Sequence, residues 1–336
     1  METTKVQLTS AEIANIWNLC MQDSMVECVM THFKHTVEDK EVKMIVEQML
    51  QLVGNHLNKI EQLLSEEGIV KPEGFPIDKH VNLNAPKLFS DVFYLEYANQ
   101  MTQFKISSHM TSIVMASRRD IHELFTQFIQ DAIEVNRSVR DVMKQKGVYI
   151  RPPYMSYPKK VDYVEKQNFL TGWFGRRRPL LAVEAAYLVA NSINNRIAQA
   201  TLIGFAQVAQ DPEIRNFFLR GKKVCSDIMV SIFDVLQEAD LPASMTWDTV
   251  VTDSTTAPFS EQLMLFLINA LSSLGIAMYG QALALTMRRD VAALYATLMG
   301  KAGTYAEDGL NLMIERGWLE QPPHFLDRQR LIEESR

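Results

Sequence analysis

Seven histidines are the residues of this sequence best suited to chemistry. Six of them, His32, His35, His56, His80, His109 and His122, fall in the first half, and only His324 lies in the second. Imidazoles that meet carboxylates between helices can hold a transition metal. A di-iron centre in a helical bundle needs a Glu from each of two helices and a Glu-x-x-His from each of the other two, so that all of them converge on two ions. No Glu-x-x-His occurs anywhere in the chain, and the second half has no imidazole to spare for such a site. In the first half, helical hairpins laid side by side put Asp23, His56 and His109 at similar heights, with Asp131 or Glu134 near them. A single-metal site there is one expectation; solvated or hydrogen-bonded side chains are the other. The sequence shows neither a nucleophile paired with a base nor a phosphate-binding loop. We therefore assign no catalytic residue and no cofactor, and the reading leans against an enzyme.

Two further stretches could do chemistry of recognition. Phe169, Trp173, Phe174, Arg176, Arg177 and Arg178 mix aromatic and basic side chains between two long helical patterns. They could dock an anionic partner or membrane surface. Alternatively the aromatics wedge between two domains, the arginines pair with acidic surface, and Pro179 sits in the first turn of the next helix. The uncharged run from Gln262 to Met287 is long enough to span a membrane. It contains Asn269, Ser272, Ser273 and Gln281, and its counterpart in the first half carries Asp91, Glu96 and Lys105, so a buried central helix is expected and no membrane span. Cys20 and Cys28 lie eight apart on one expected helix, about 12 Å along its axis, too far for a disulfide. Reduced thiols and the lack of a basic-then-apolar leader at Met1 to Ser10 point to a cytoplasmic protein. A net charge of −6 gives no general attraction for nucleic acid.

The elements that must position these residues are helices. In the first half the apolar spacing predicts them from Ser10 to about Phe33, from Asp39 as cap to Gly68, from about Leu88 to Ser117, and from about Arg119 to Lys146. The links between them are short, long and short. That order means two antiparallel hairpins joined by one crossover, the connectivity of ferritin-like bundles. The unit is written twice. Asp39, Glu41 and Val42 match Asp211, Glu213 and Ile214 at an offset of 172, as Glu12 matches Glu184; after the crossover Arg118-Arg119-Asp120 matches Arg288-Arg289-Asp290 at 170. Gly147 to Pro153 likewise returns as Gly317 to Pro323, where a glycine ends a helix and two prolines forbid its continuation. An offset that changes only in a crossover is what a duplicated domain shows, since loops tolerate length changes.

The expected fold class is all-α, with two tandem ferritin-like four-helix bundles in a chain of 336 residues. Residues 1–154 form the first bundle, 155–178 the linker, 179–325 the second bundle and 326–336 a tail. A pseudo-two-fold arrangement of the copies would preserve an ancestral dimer. Asn82-Leu83-Asn84-Ala85-Pro86, Arg151-Pro152-Pro153, Phe169 to Gly175, Phe218-Leu219-Arg220-Gly221-Lys222 and Trp318 to Pro323 together resemble a family of tandem ferritin-like proteins of spore-forming Bacillus-type bacteria, a domain of unknown function. The resemblance covers nearly the whole chain. It implies a cytoplasmic or spore-associated protein and transfers no active-site residue. The functional expectation is a structural or interaction protein with a protein partner or self-association. The alternatives are a degenerate metal-binding protein using Asp23, His56 and His109, or a binder of a small apolar molecule within a bundle, suggested by 18 methionines.

Overall fold

The structure, a computed structural model, describes residues 6–173, 177–242 and 248–334. Among these residues it contains ten α-helices and no strand. In chain order they are α1 (Ser10–Thr36), α2 (Lys40–Glu67), the single turn α3 (Ile77–His80), α4 (Asp91–Met115), α5 (Arg119–Gln145), α6 (Ala182–Val208), α7 (Pro212–Glu238), α8 (Glu261–Leu285), α9 (Arg289–Glu315) and the short α10 (Arg328–Glu334). Four pairs of consecutive helices pack closely: α1 on α2, α4 on α5, α6 on α7 and α8 on α9. In the first half α2 meets α4 and α5, and α1 meets α4; in the second, α6 meets α8 and α7 meets α9. Helix α8 is long and apolar enough to cross a membrane. It is packed against α6, α9 and α1, and it buries Leu263, Met264, Leu265, Leu267 and Ile268.

The helix ends follow local chemistry, and the two halves use the same chemistry. Thr9 caps α1 in a capping box with Glu12, and Asp39 and Asp211 each accept two backbone N–H groups at the starts of α2 and α7. Glu12 then reaches across the molecule, where its Oε1 accepts from the backbone N–H of Ser117 and Arg118 at 2.9 and 2.8 Å, at the start of α5. Glu184 does the same for Met287 and Arg288 at the start of α9, at 3.1 and 2.9 Å. Each carboxylate thus satisfies N–H groups at two helix ends. Helix α4 starts at Asp91, three residues after the expected Leu88, because the Ser90 hydroxyl caps it. Pro179 does not enter α6, contrary to expectation. Leu181 is the cap residue and Glu184 bonds its N–H, so the helix opens at Ala182.

The crossovers of the two halves bond to each other. Val81 forms an isolated antiparallel bridge with Phe259, and Phe89 forms one with Val251. Val251 and Phe259 are the 170-offset equivalents of Val81 and Phe89, so the two bridges exchange roles. The flanking bonds do so too. Asn82 N–H donates to Pro258 and Thr252 N–H to Leu88, while Ser90 N–H donates to Val250 and Ser260 N–H to His80. This reciprocal pattern is that of an isologous interface inside one chain. Around it lies a shared core that includes Phe33, Phe93 and Tyr97 from the first half and Phe205, Phe259 and Leu263 from the second. Each half also has a separate far core. Ile16, Ile60, Phe125 and Phe128 stand in one, and their equivalents Leu188, Ile232, Tyr295 and Leu298 in the other.

Candidate functional site

Helices α1, α2 and α4 bring Asp23, His56 and His109 together beside the far core of the first half. All three are fully buried, and a fourth buried group, Lys105 one turn before His109, joins them. The Lys105 ammonium ion-pairs with Asp23 Oδ1. Asp23 Oδ2 lies 3.4 Å from His56 Nδ1, and His56 Nε2 lies 3.7 Å from Asp131 Oδ2 on α5. Asp131 is the member that reaches solvent, through a groove between α2 and α5 that also holds Gln48, Asn55, Glu134 and Ser138. Phe128 stacks on His56 with ring centroids 3.9 Å apart, and the two imidazoles meet edge to face at 5.5 Å.

The electrostatics follow from burial. Desolvation pushes the Asp23 carboxyl up, but Lys105 and His56 outweigh it and hold it below the usual carboxylate range. Desolvation, reinforced by the Lys105 charge, lowers His109 to about 3, so its imidazole is neutral at ordinary pH. Neither ring nitrogen of His109 has a hydrogen-bond partner among the described residues, whereas those of His56 face the Asp23 and Asp131 carboxylates. A carboxylate and two imidazoles are a metal-like donor set, yet the cation between them is an ammonium of the chain itself. A divalent ion would have to displace or repel that charge. Among the described residues no group of three or more His, Cys, Asp or Glu side chains is arranged to hold a metal ion. Lys105 thus competes with any metal ion for Asp23.

At the equivalent place in the second half every buried charge is gone, although Lys301 stands for the solvent-reaching Asp131. Asn195 stands for Asp23, Ile228 for His56, Gly275 for Lys105 and Tyr279 for His109. Asn195 and Tyr279 satisfy each other, with the Asn195 Nδ2 2.7 Å from the tyrosine oxygen and the hydroxyl 3.0 Å from Asn195 Oδ1. The cluster is thus a polar layer in one copy and a neutral one in the other. Lys105 was missing from the sequence-based site. Its signal was a charge in mid-helix where the counterpart helix, after Glu261, has none.

In the linker, Arg177 bonds Glu238 at 2.5 and 2.6 Å, and Arg178 grips both oxygens of Glu184 at 2.8 Å while lying over the Phe169 ring. Trp173 is 58% exposed. Phe174 and Arg176 lie outside the described residues. A further buried ion pair, which sequence reasoning missed, crosses between the halves: Arg196 on α6 to Glu96 on α4 at 2.9 Å.

A family model described as a protein of unknown function, DUF3231, matches residues 1–161 and again 168–331. No curated protein matches the chain. Among solved structures, a candidate spore coat protein from Bacillus halodurans C-125 is similar over 45% of this chain and 98% of its own length, with 19% identity and a TM-score of 0.40.

Proposed function

We propose, for a chain that belongs to the DUF3231 family of unknown function and matches its model twice, that it is a non-catalytic scaffold or interaction protein. It is built from two ferritin-like four-helix bundles, residues 1–154 and 179–325, joined by the linker 155–178 and followed by the tail 326–336. What supports the bundle reading is the packing of consecutive helices in pairs, with three residues between α1 and α2, a long crossover, and three residues between α4 and α5. What carries the functional reading is Lys105. Its ammonium, ion-paired with Asp23 inside the first half, supplies from the chain itself the positive charge that a bound metal ion would bring. Protein groups, and not a cofactor, complete this core. The resemblance adds a cytoplasmic or spore-associated location, with the linker's Phe169, Trp173 and Arg177 as contacts between the bundles or to a partner. Its acidic balance argues against nucleic acid, and the packing of α8 argues against a membrane span.

The second reading, a degenerate metal protein, draws on the meeting of Asp23, His56 and His109 and on the unpartnered nitrogens of His109. Elemental mass spectrometry of native, tag-free protein separates the two. The scaffold reading expects iron, zinc and manganese at background. About one equivalent of metal per chain, lost in a His56→Ala/His109→Ala double variant, would establish the metal reading instead. The remaining expectation, a small apolar guest, meets a cavity of about 50 Å³ in the second half, about a third of the size that holds benzene.

A further inference from the structure

The seam between the halves repeats in its backbone bonds but not in its side chains. On one side Glu96 of α4 meets Arg196 of α6 at 2.9 Å, and the two residues are 2% and 7% exposed. The equivalent positions on the other side are Phe266 of α8 and Ser24 of α1, both in contact with Phe75. Shape differs as well as charge. Phe89 stacks on Phe93 with ring centroids 4.2 Å apart and lies over Gly204 of α6, where a Cβ would stand 2.5 Å from its ring. On the other side Phe259 has Leu263 in place of Phe93, and it meets the edge of His32, the residue that stands for Gly204.

A seam whose backbone repeats offers the same bonds to two first halves, or to two second halves, from different copies of the chain. Each side-chain contact would then occur twice. Two first halves would bury both Glu96 carboxylates against Ser24, and both Phe89 rings would meet His32 where they need a glycine. Two second halves would bury both Arg196 guanidiniums against Phe266, and both Phe259 rings would face Gly204 across a void. A buried charge that loses its partner weakens an equilibrium by about a hundredfold or more. The unlike pair alone matches charge with charge and ring with space.

We infer that Glu96 with Arg196, and Phe89 with Gly204, make the seam selective, so that each half accepts the unlike half and rejects a second copy of itself. The consequence is a closed chain. Like pairing would link one copy to the next, whereas the unlike pair is completed within a single copy. The inference rests on the seam and not on the scaffold reading, and it holds equally for a scaffold or a metal protein.

The test keeps the full chain and cuts it only after folding. A protease recognition sequence is inserted beside Val161, in the exposed linker, and the purified protein is cleaved there. Cleaved protein is mixed with an isotope-labelled sample, unfolded in urea and diluted at neutral pH, so that every half chooses its partner afresh. Native mass spectrometry counts the pairs. The wild type should give unlike pairs with scrambled labels, and fewer than about one like pair in a hundred. Glu96→Phe/Arg196→Ser copies the residues of the other side, so the contact it leaves already exists in this fold. It should form unlike pairs and now also pairs of second halves. Adding His32→Gly should admit pairs of first halves as well. Wild-type pairs in the proportions of random choice, or a triple variant as selective as the wild type, would overturn the inference.

Discussion

Glu12 and Glu184 stop accepting when they are protonated, so acid reaches the helix junctions through these two side chains. Desolvation pushes each carboxyl up. For Glu12, the N–H groups of Arg118 and Thr9, the Thr9 hydroxyl and the Ser117 N–H outweigh it; for Glu184, the Arg178 guanidinium and the N–H groups of Leu181 and Arg288 do. Both end at about 2, below the ordinary 4.5. A depressed folded-state value means stability that is whole above about pH 4.5 and lost as pH falls towards 2, worth about 2 to 3 kcal/mol per group. Glu12→Gln/Glu184→Gln should therefore be less stable than wild type at pH 7 and show a flatter loss between pH 5 and 3 in urea titrations. Parallel pH profiles would remove the assignment. His109 acts in the same direction at higher pH: an imidazole held neutral costs stability as pH falls below about 6.5. That Asp23, His56 and His109 meet was legible because positions on packed helices follow from arithmetic along the chain. Lys105 was not, because a lysine in a helix is ordinarily a surface residue and only its partner explains its burial.

At the level of elements, the helices were legible at most ends, since caps and stops are local. Gly147 and Gly317 end α5 and α9 with φ of 69° and 65°, the left-handed conformation that an L side chain resists. Gly147→Ala and Gly317→Ala should each cost about 1 kcal/mol, read as a lower urea midpoint with an unchanged slope. No change at either would mean that the turn relaxes at no cost. Two ends were misread for related reasons. Ser90 starts α4 late because Leu88 and Phe89 are committed to the other half's crossover, and Pro179 stays outside α6 because Glu184 fixes the cap at Leu181. The crossovers read correctly as long but not as paired. Their bridges are isolated, so no alternation of apolar and polar residues announces them, and each partner lies some 170 residues away.

Across the whole molecule, the reciprocal bonds between crossovers, together with the α1–α8 and α4–α6 contacts, give the halves an internal two-fold relation. Duplication has let the two sides of the seam diverge. Glu96 and Arg196 form a buried ion pair on one side, while their equivalents on the other are Phe266 and Ser24. Burial pushes Glu96 up and Arg196 down, so desolvation offsets much of the attraction within the pair. The shared core predicts that residues 1–161 and 168–336, produced as separate chains, aggregate or associate when alone and form a 1:1 complex when mixed. Two soluble, monomeric halves that ignore each other in size-exclusion chromatography would contradict the seam.

The bridge from Val81 to Phe259 also sets a schedule for the protein's synthesis. Translation adds about 5 to 20 residues per second, so the first half leaves the ribosome roughly 10 to 35 seconds before its partner strand exists. During that interval Phe89, Phe93 and the rest of its seam face water with nothing to cover them, although the local hairpins α1–α2 and α4–α5 can already close. Slowing elongation between residues 160 and 260 would lengthen that exposure, and the yield of soluble protein should fall with it.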